Sequence, residues 1–123
     1  MTASRQALLL LAHGSPDPEW AHPMEKLQDM LIERCPGHTV ALAFLPPAQP
    51  DFAAAVNQLV TAGAEKITVA PAFLGRGNHL KRDLPELAEA AAARHNVAIT
   101  VLPALGEAPE VMEAMASWIA HRA

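Results

Sequence analysis

The chain is poor in cysteine, in long apolar runs and in net positive charge, and each shortage removes a class of function. Cys35 is the only cysteine of the 123 residues, so no internal disulfide is possible, which agrees with a reducing compartment. No apolar run approaches the roughly 18 residues of a membrane span, and ALLLLA at 7–12 is short and lacks a signal-peptide cleavage pattern. A cytoplasmic protein with no membrane association is expected. The net charge of −4 argues against nonspecific nucleic-acid binding. ATP-driven chemistry lacks its apparatus, since the GRGN turn at 75–78 fails the P-loop spacing, and serine-nucleophile chemistry lacks its own, since HGS at 13–15 is not the G-x-S-x-G nucleophile elbow. A closed structural zinc site would need four Cys and His ligands in a recognisable spacing, and none is there.

What is present is an alternation. At this length one domain, 1–123, is expected, large enough to bury roughly two-thirds of its unfolded surface. Apolar runs at Ala7–Ala12, Thr39–Leu45, Ile67–Leu74 and Val97–Leu102 read as strands covered on both faces, and they recur about every 30 residues, the length of a βα unit. The segments between them have helical period. Trp20, Met24, Leu27 and Leu31 share a face, as do Phe52, Val56, Leu59 and Val60, then Leu80, Leu84, Leu87 and Ala91, then Val111, Met115, Trp118 and Ile119. Core packing is the expected role of the methionines and of both tryptophans. Gly63 reads as a C-cap, Pro50 and Pro109 mark helix entries, and Pro23 starts the first regular helix late, leaving 15–22 as loop.

Strict βα alternation predicts an α/β fold with a four-stranded parallel sheet, order 2-1-3-4, and helices on both faces. Strands one and three then meet at the topological switch point, outside whose carboxyl ends ligands bind. The third strand leads into the richest segment, ITVAPAFLGRGNHLKRDLPEL at 67–87. Pro71 removes a backbone donor and should loosen the ladder there. Gly75 and Gly77 open unusual backbone conformations, Asn78 suits a helix N-cap, and His79 falls in the first helical turn. Arg76, Lys81 and Arg82, three of the nine Lys and Arg residues, crowd this helix start, where free N–H groups favour anions. An ordinary solvated helix face is the alternative for them. His13 ends the first strand, so His13 and His79 should project over one edge and face each other across a cleft.

Two facing imidazoles make an open site for Co²⁺, Ni²⁺, Fe²⁺ or Zn²⁺ and also take up protons near neutral pH. A loop-capping role is the competing reading for His13, and a plain helix-start residue for His79. The other candidates are weaker. Cys35 and His38 belong to a turn at the far edge, Asp17, Glu19 and His22 are loop residues near the cleft, and His95 and His121 suit the last turns of helices.

AHGSPDPEW at 12–20 and PAFLGRGNHLKRDLPE at 71–86 together resemble the two motifs of the short CbiX-type sirohydrochlorin cobaltochelatases. FLPPAQPDFAAAVNQLVTAGAEKITVAPAFL in the middle and LPALGE before the last helix extend the resemblance over nearly the whole chain. It implies a chelatase-like (flavodoxin-like) fold and ATP-independent insertion of a divalent metal into sirohydrochlorin in cobalamin synthesis. Co²⁺ is the expected metal, with Ni²⁺ or Fe²⁺ as alternatives, and no further cofactor is expected. The resemblance also implies a homodimer that reproduces the two lobes of longer chelatases. It carries His13 and His79 over as the metal-binding and proton-accepting pair, with Ser15, Arg76, Gly77, Asn78, Lys81 and Arg82 as substrate-binding candidates. One departure stands out: a carboxylate expected just after the second strand is replaced in FLPPAQP by Pro46, with Gln49 nearby. Asp17, Glu19 or a partner subunit are the possible substitutes. Two other classes fit the same residues: a metal- or tetrapyrrole-binding protein without turnover, and a flavodoxin-like domain that binds a phosphorylated molecule or another protein.

Overall fold

The computed structural model describes residues 5–15, 17–75 and 77–123, with Asn78 and His79 described in their main chain alone. β1 (Gln6–Ala12) lies between β2 (His38–Phe44) and β3 (Lys66–Pro71), and β4 (Ala98–Val101) pairs with the outer side of β3. All three pairings are parallel, and the order β2-β1-β3-β4 is the one expected from the alternation. The leucine run explains why β1 is central. Leu9, Leu10 and Leu11 are each no more than 1% exposed, and since successive side chains point to opposite faces, both faces must be covered.

Four α-helices follow among the described residues: α1 (His22–Arg34), α2 (Phe52–Thr61), α3 (Gly77–His95) and α4 (Pro109–Ala120). α2 and α3 pack side by side on one face. There Phe52, Val56, Leu59, Leu84 and Ala88 meet Leu9, Leu11, Ile67 and Val69 in the main core. α1 crosses β1 and β2 on the opposite face, as right-handed crossovers in this strand order require. Its Gln28 amide donates to the Val40 carbonyl at 3.0 Å, which occupies part of the open edge of β2. Sequence-coded ends hold α2. Asp51 accepts from the Ala54 N–H at 3.0 Å as N-cap. Gly63, with φ 104°, closes the other end, its N–H bonding the Val60 carbonyl and the Ala64 N–H bonding the Leu59 carbonyl, the two bonds of a Schellman motif.

The ladder loosens at Pro71 as expected, and the strand ends there rather than at Leu74; the register shows why proline is tolerated. On the β1 side the ladder continues past it, the Ala72 N–H bonding the Leu11 carbonyl at 2.8 Å. The donor that proline lacks would face β4, whose pairing with β3 has already ended at Val69 and Val101.

Three expectations need correction. The helix after β3 starts at Gly77, so Asn78 lies within the first turn rather than at the N-cap. Residues 18–21 are not loop but a 3-10 turn (Pro18–Ala21), capped by Asp17. The tryptophans and several methionines do not pack in the core: Trp20 is 51% exposed, Trp118 61%, Met112 47% and Met30 42%. For Trp118 and Met112 the reason is the placement of α4, which packs on the 3-10 turn Leu105–Glu107 instead of on the sheet, so that its apolar face stays open. No described helix is long and apolar enough to cross a membrane.

Candidate functional site

At the carboxyl edge of the sheet the loops after β1 and β3 meet through His13 and Phe73. His13 is the first residue after β1, and its side chain is exposed. Its imidazole lies against the Phe73 ring, centroids 4.5 Å apart and planes inclined at 52°, a tilted geometry that suits the ring quadrupoles. Phe73 itself is only 5% exposed. The His13 main chain is held separately, its carbonyl accepting a 2.6 Å hydrogen bond from the Trp20 indole. That bond accounts for the exposure of Trp20: an indole with its N–H committed to a loop carbonyl serves the loop rather than the core.

Beyond His13 the chain turns through a short series of caps. Ser15 Oγ accepts from the Asp17 N–H at 3.1 Å, and Asp17 Oδ1 accepts from the Glu19 N–H at 3.0 Å. Asp17 thus starts the 3-10 turn, with Pro18 at its first position. Gly14 lies directly under Ala48 of the β2–α2 loop, in space that a side chain would need. That loop holds two cis peptide bonds, Pro46–Pro47 and Gln49–Pro50, and is tied to the sheet by the Leu45 N–H on the Ala12 carbonyl at 2.9 Å. Ser15, Asp17, Trp20, Ala48 and Gln49 line a cavity of 160 Å³, and Gly14, Ser15, Pro47 and Ala48 line a neighbouring one of 320 Å³. At the position of the expected carboxylate stands Pro46, exposed, and the Gln49 side-chain oxygen accepts from the Asp51 N–H at 3.3 Å. A larger groove of 380 Å³ between α2 and α3 is apolar and shares no residue with these loops.

The loop after β4 backs the one after β3. Gly106 donates its N–H to the Phe73 carbonyl at 2.9 Å, and Glu107 Oε1 accepts from the Ala104 N–H at 2.8 Å, with Ala104 fully buried. A β-carbon at Gly106 would fall on the main-chain carbonyl of Leu74. Backbone cannot step aside as a side chain can. Gly106→Ala is therefore expected to separate the two loops and to lower stability by about 1–3 kcal/mol, the range for overpacking. Thermal unfolding measures it, and an unchanged midpoint would show that the contact is slack.

The main chain of His79 lies in the first turn of α3, as expected. β1 and β3 are neighbours with Leu11 opposite Pro71, so His13 and the His79 main chain follow adjacent strands over the same edge. Whether the two imidazoles face each other concerns a side chain outside the described residues, as does that of Asn78; Arg76 also lies outside them. Gly77 adopts φ 63°, while Gly75 is not left-handed. Lys81 and Arg82 are exposed in the next turn of α3. Among the described residues no three His, Cys, Asp or Glu side chains come together as metal ligands.

The remaining candidates sit apart from these loops. Cys35 and His38 form a turn between α1 and β2, with the His38 N–H on the Cys35 carbonyl at 2.9 Å. His22 opens α1 and His95 ends α3, while His121 caps α4 with Nδ1 2.7 Å from the Ser117 carbonyl. Phe73 and Trp20 are the site residues that sequence reasoning placed wrongly, Phe73 inside a strand and Trp20 in the core. Nothing local marks Phe73. For Trp20 the signal available was its polar N–H three residues before the helix start expected at Pro23.

The family model CbiX matches residues 7–122. Among curated proteins, the sirohydrochlorin cobaltochelatase of Methanococcus aeolicus is 33% identical over 82 residues, 67% of this chain and 57% of the relative. That of Methanothermobacter thermautotrophicus is 35% identical over 80 residues, 65% of this chain and 55% of the relative. The matched part thus spans just over half the length of these relatives. Among solved structures, the CbiX protein of Marinobacter aquaeolei VT8 superposes with a TM-score of 0.82 at 32% identity, covering 95% of this chain and 96% of that one. The sirohydrochlorin chelatase SirB of Bacillus subtilis subspecies spizizenii, in complex with cobalt, gives 0.78 at 24% identity, covering 95% of this chain and 50% of that one.

Proposed function

Because the chain belongs to the CbiX family, we propose that it inserts a divalent metal, Co²⁺ first among candidates, into sirohydrochlorin without ATP, in the cytoplasm and in the service of cobalamin synthesis. The observation that carries this reading is an exposed histidine, held by its ring and its main chain, at the end of β1 and beside the strand that leads to His79. Insertion requires three things of a protein: loose capture of a hydrated ion, a base for the two pyrrole N–H protons, and a grip on a stiff macrocycle ringed with carboxylates. Neutral imidazole serves the first two. In this reading His79 presents the metal, and His13 takes a proton or completes the coordination. Arg76, Lys81, Arg82 and the main-chain N–H groups of Gly77 and Asn78 receive substrate carboxylates at the start of α3. The Ser15 hydroxyl, which accepts from Asp17, keeps its own proton to donate.

The neutral Pro46 and Gln49 favour one second reading, a protein that binds metal or tetrapyrrole without turnover. Anaerobic absorbance of sirohydrochlorin with Co²⁺, with and without the protein, decides between them. Faster formation of the cobalt product supports insertion. No acceleration by a folded sample that still binds either ligand supports the carrier.

A further inference from the structure

The imidazole of a histidine that meets a metal is usually oriented by a hydrogen bond from its second nitrogen to a carboxylate, carbonyl or water. Among the described residues no carboxylate or carbonyl bonds a ring nitrogen of His13, and the ring it packs against is that of Phe73. An exposed side chain with two free torsions needs something to select a rotamer. Phe73 is able to, because it cannot itself move. It is 5% exposed, it lies within the main core cluster, and its carbonyl is tied to the Gly106 N–H at 2.9 Å. The Leu74 main chain directly beyond it is pressed against Gly106.

The two remaining degrees of freedom of His13, its main-chain position and its peptide orientation, are fixed from the other side. The Trp20 indole bonds the His13 carbonyl at 2.6 Å, and Trp20 is the third residue of the 3-10 turn that Asp17 caps. The ring is thus set by the β3 loop and the backbone by the turn that precedes α1. The β3 loop is the segment that also delivers the start of α3.

We infer that Phe73 and Trp20 are positioning residues for His13: the buried Phe73 ring selects the orientation of the imidazole, and the Trp20 indole N–H fixes the main chain that bears it. The inference rests on the metal-handling role proposed for His13, but one of its consequences does not. With no metal present, the His13 ring protons lie beside a phenyl face and take a ring-current shift. Phe73→Leu keeps an apolar group in the core and removes the ring. Phe73→Tyr keeps the ring. Trp20→Phe keeps bulk and removes the donor.

The experiment takes the metal-free protein first, with the His13 ring resonances assigned by their loss in His13→Gln. They are expected to be displaced in the wild type, to remain so in Phe73→Tyr, and to fall back to free-histidine positions in Phe73→Leu. Titration with Co²⁺, followed by its visible absorption, is expected to give about tenfold weaker binding for Phe73→Leu and Trp20→Phe, and binding within threefold of the wild type for Phe73→Tyr. Wild-type shifts in the folded Phe73→Leu protein would overturn the inference, as would Phe73→Tyr binding as weakly as Phe73→Leu. Ring shifts that respond as expected, in a protein whose Co²⁺ affinity is unchanged by His13→Gln, would uphold the positioning and remove the metal role instead.

Discussion

Replacing His13 by alanine is expected to slow Co²⁺ insertion into sirohydrochlorin by about 10²–10⁴-fold, the range for loss of a positioned proton acceptor, while leaving the melting temperature nearly unchanged. The two halves of this expectation have separate sources. The kinetic half follows from the proposed role, since the chain offers no described cluster of other ligands that could take over. The stability half follows from geometry: the His13 side chain is exposed and touches the core through one face of Phe73, so its removal uncovers little apolar surface. His79→Ala is expected to match it in rate. If both act on one metal, the double variant should be hardly slower than the slower single one, because removing either member already dismantles the unit. Stopped-flow absorbance under anaerobic conditions measures all three. A His13→Ala protein within threefold of the wild type would exclude His13 from the reaction and leave the carrier reading.

Much of this architecture was legible because it depends on patterns that only one arrangement satisfies. A run of four leucines with no polar alternation has no place in a sheet except the centre, and β1 is there. Three β-α-β crossovers of one hand leave few strand orders, and 2-1-3-4 is the one found. Pro71 could be read as a place where pairing loosens, although which partner strand it spares required the register. Trp118 was misread for a physical reason: helical periodicity shows that a face is apolar, not what covers it. α1 and α4 have similar faces by spacing, yet only α1 lies on the sheet. The contact between His13 and Phe73 was beyond reach as well, because it joins residues that are far apart in sequence and leaves no spacing to detect. Asn78 was a reasonable N-cap by type, which would start the helix at His79, and the helix nonetheless begins two residues earlier, at Gly77.

The open face of α4 leads to the second large effect. Trp118 is 61% exposed, Ile119 60% and Met112 47%, and Trp118 is held in place by Arg122, whose guanidinium lies 4.2 Å from the ring centroid and donates to the Trp118 carbonyl at 2.9 Å. Large apolar side chains left exposed together on a helix none of whose residues is buried point to a partner. The resemblance to the short CbiX-type chelatases implies a homodimer, and we propose a second copy as the occupant of this face. Covering the three side chains would contribute roughly 3–5 kcal/mol, taking part of the full burial value of each. A glutamate in such a contact must be desolvated without a counterion. The double variant Trp118→Glu, Ile119→Glu is therefore expected to weaken association by at least about 10³-fold and to sediment as a monomer at micromolar concentration, where the wild type is expected to sediment as a dimer. The variant should still unfold cooperatively as a folded monomer, because neither residue packs in the core of its own chain, with a melting temperature lowered only by the lost association. A variant that remains dimeric would place the interface elsewhere, and a wild type that is monomeric at these concentrations would leave α4 without a partner of its own kind.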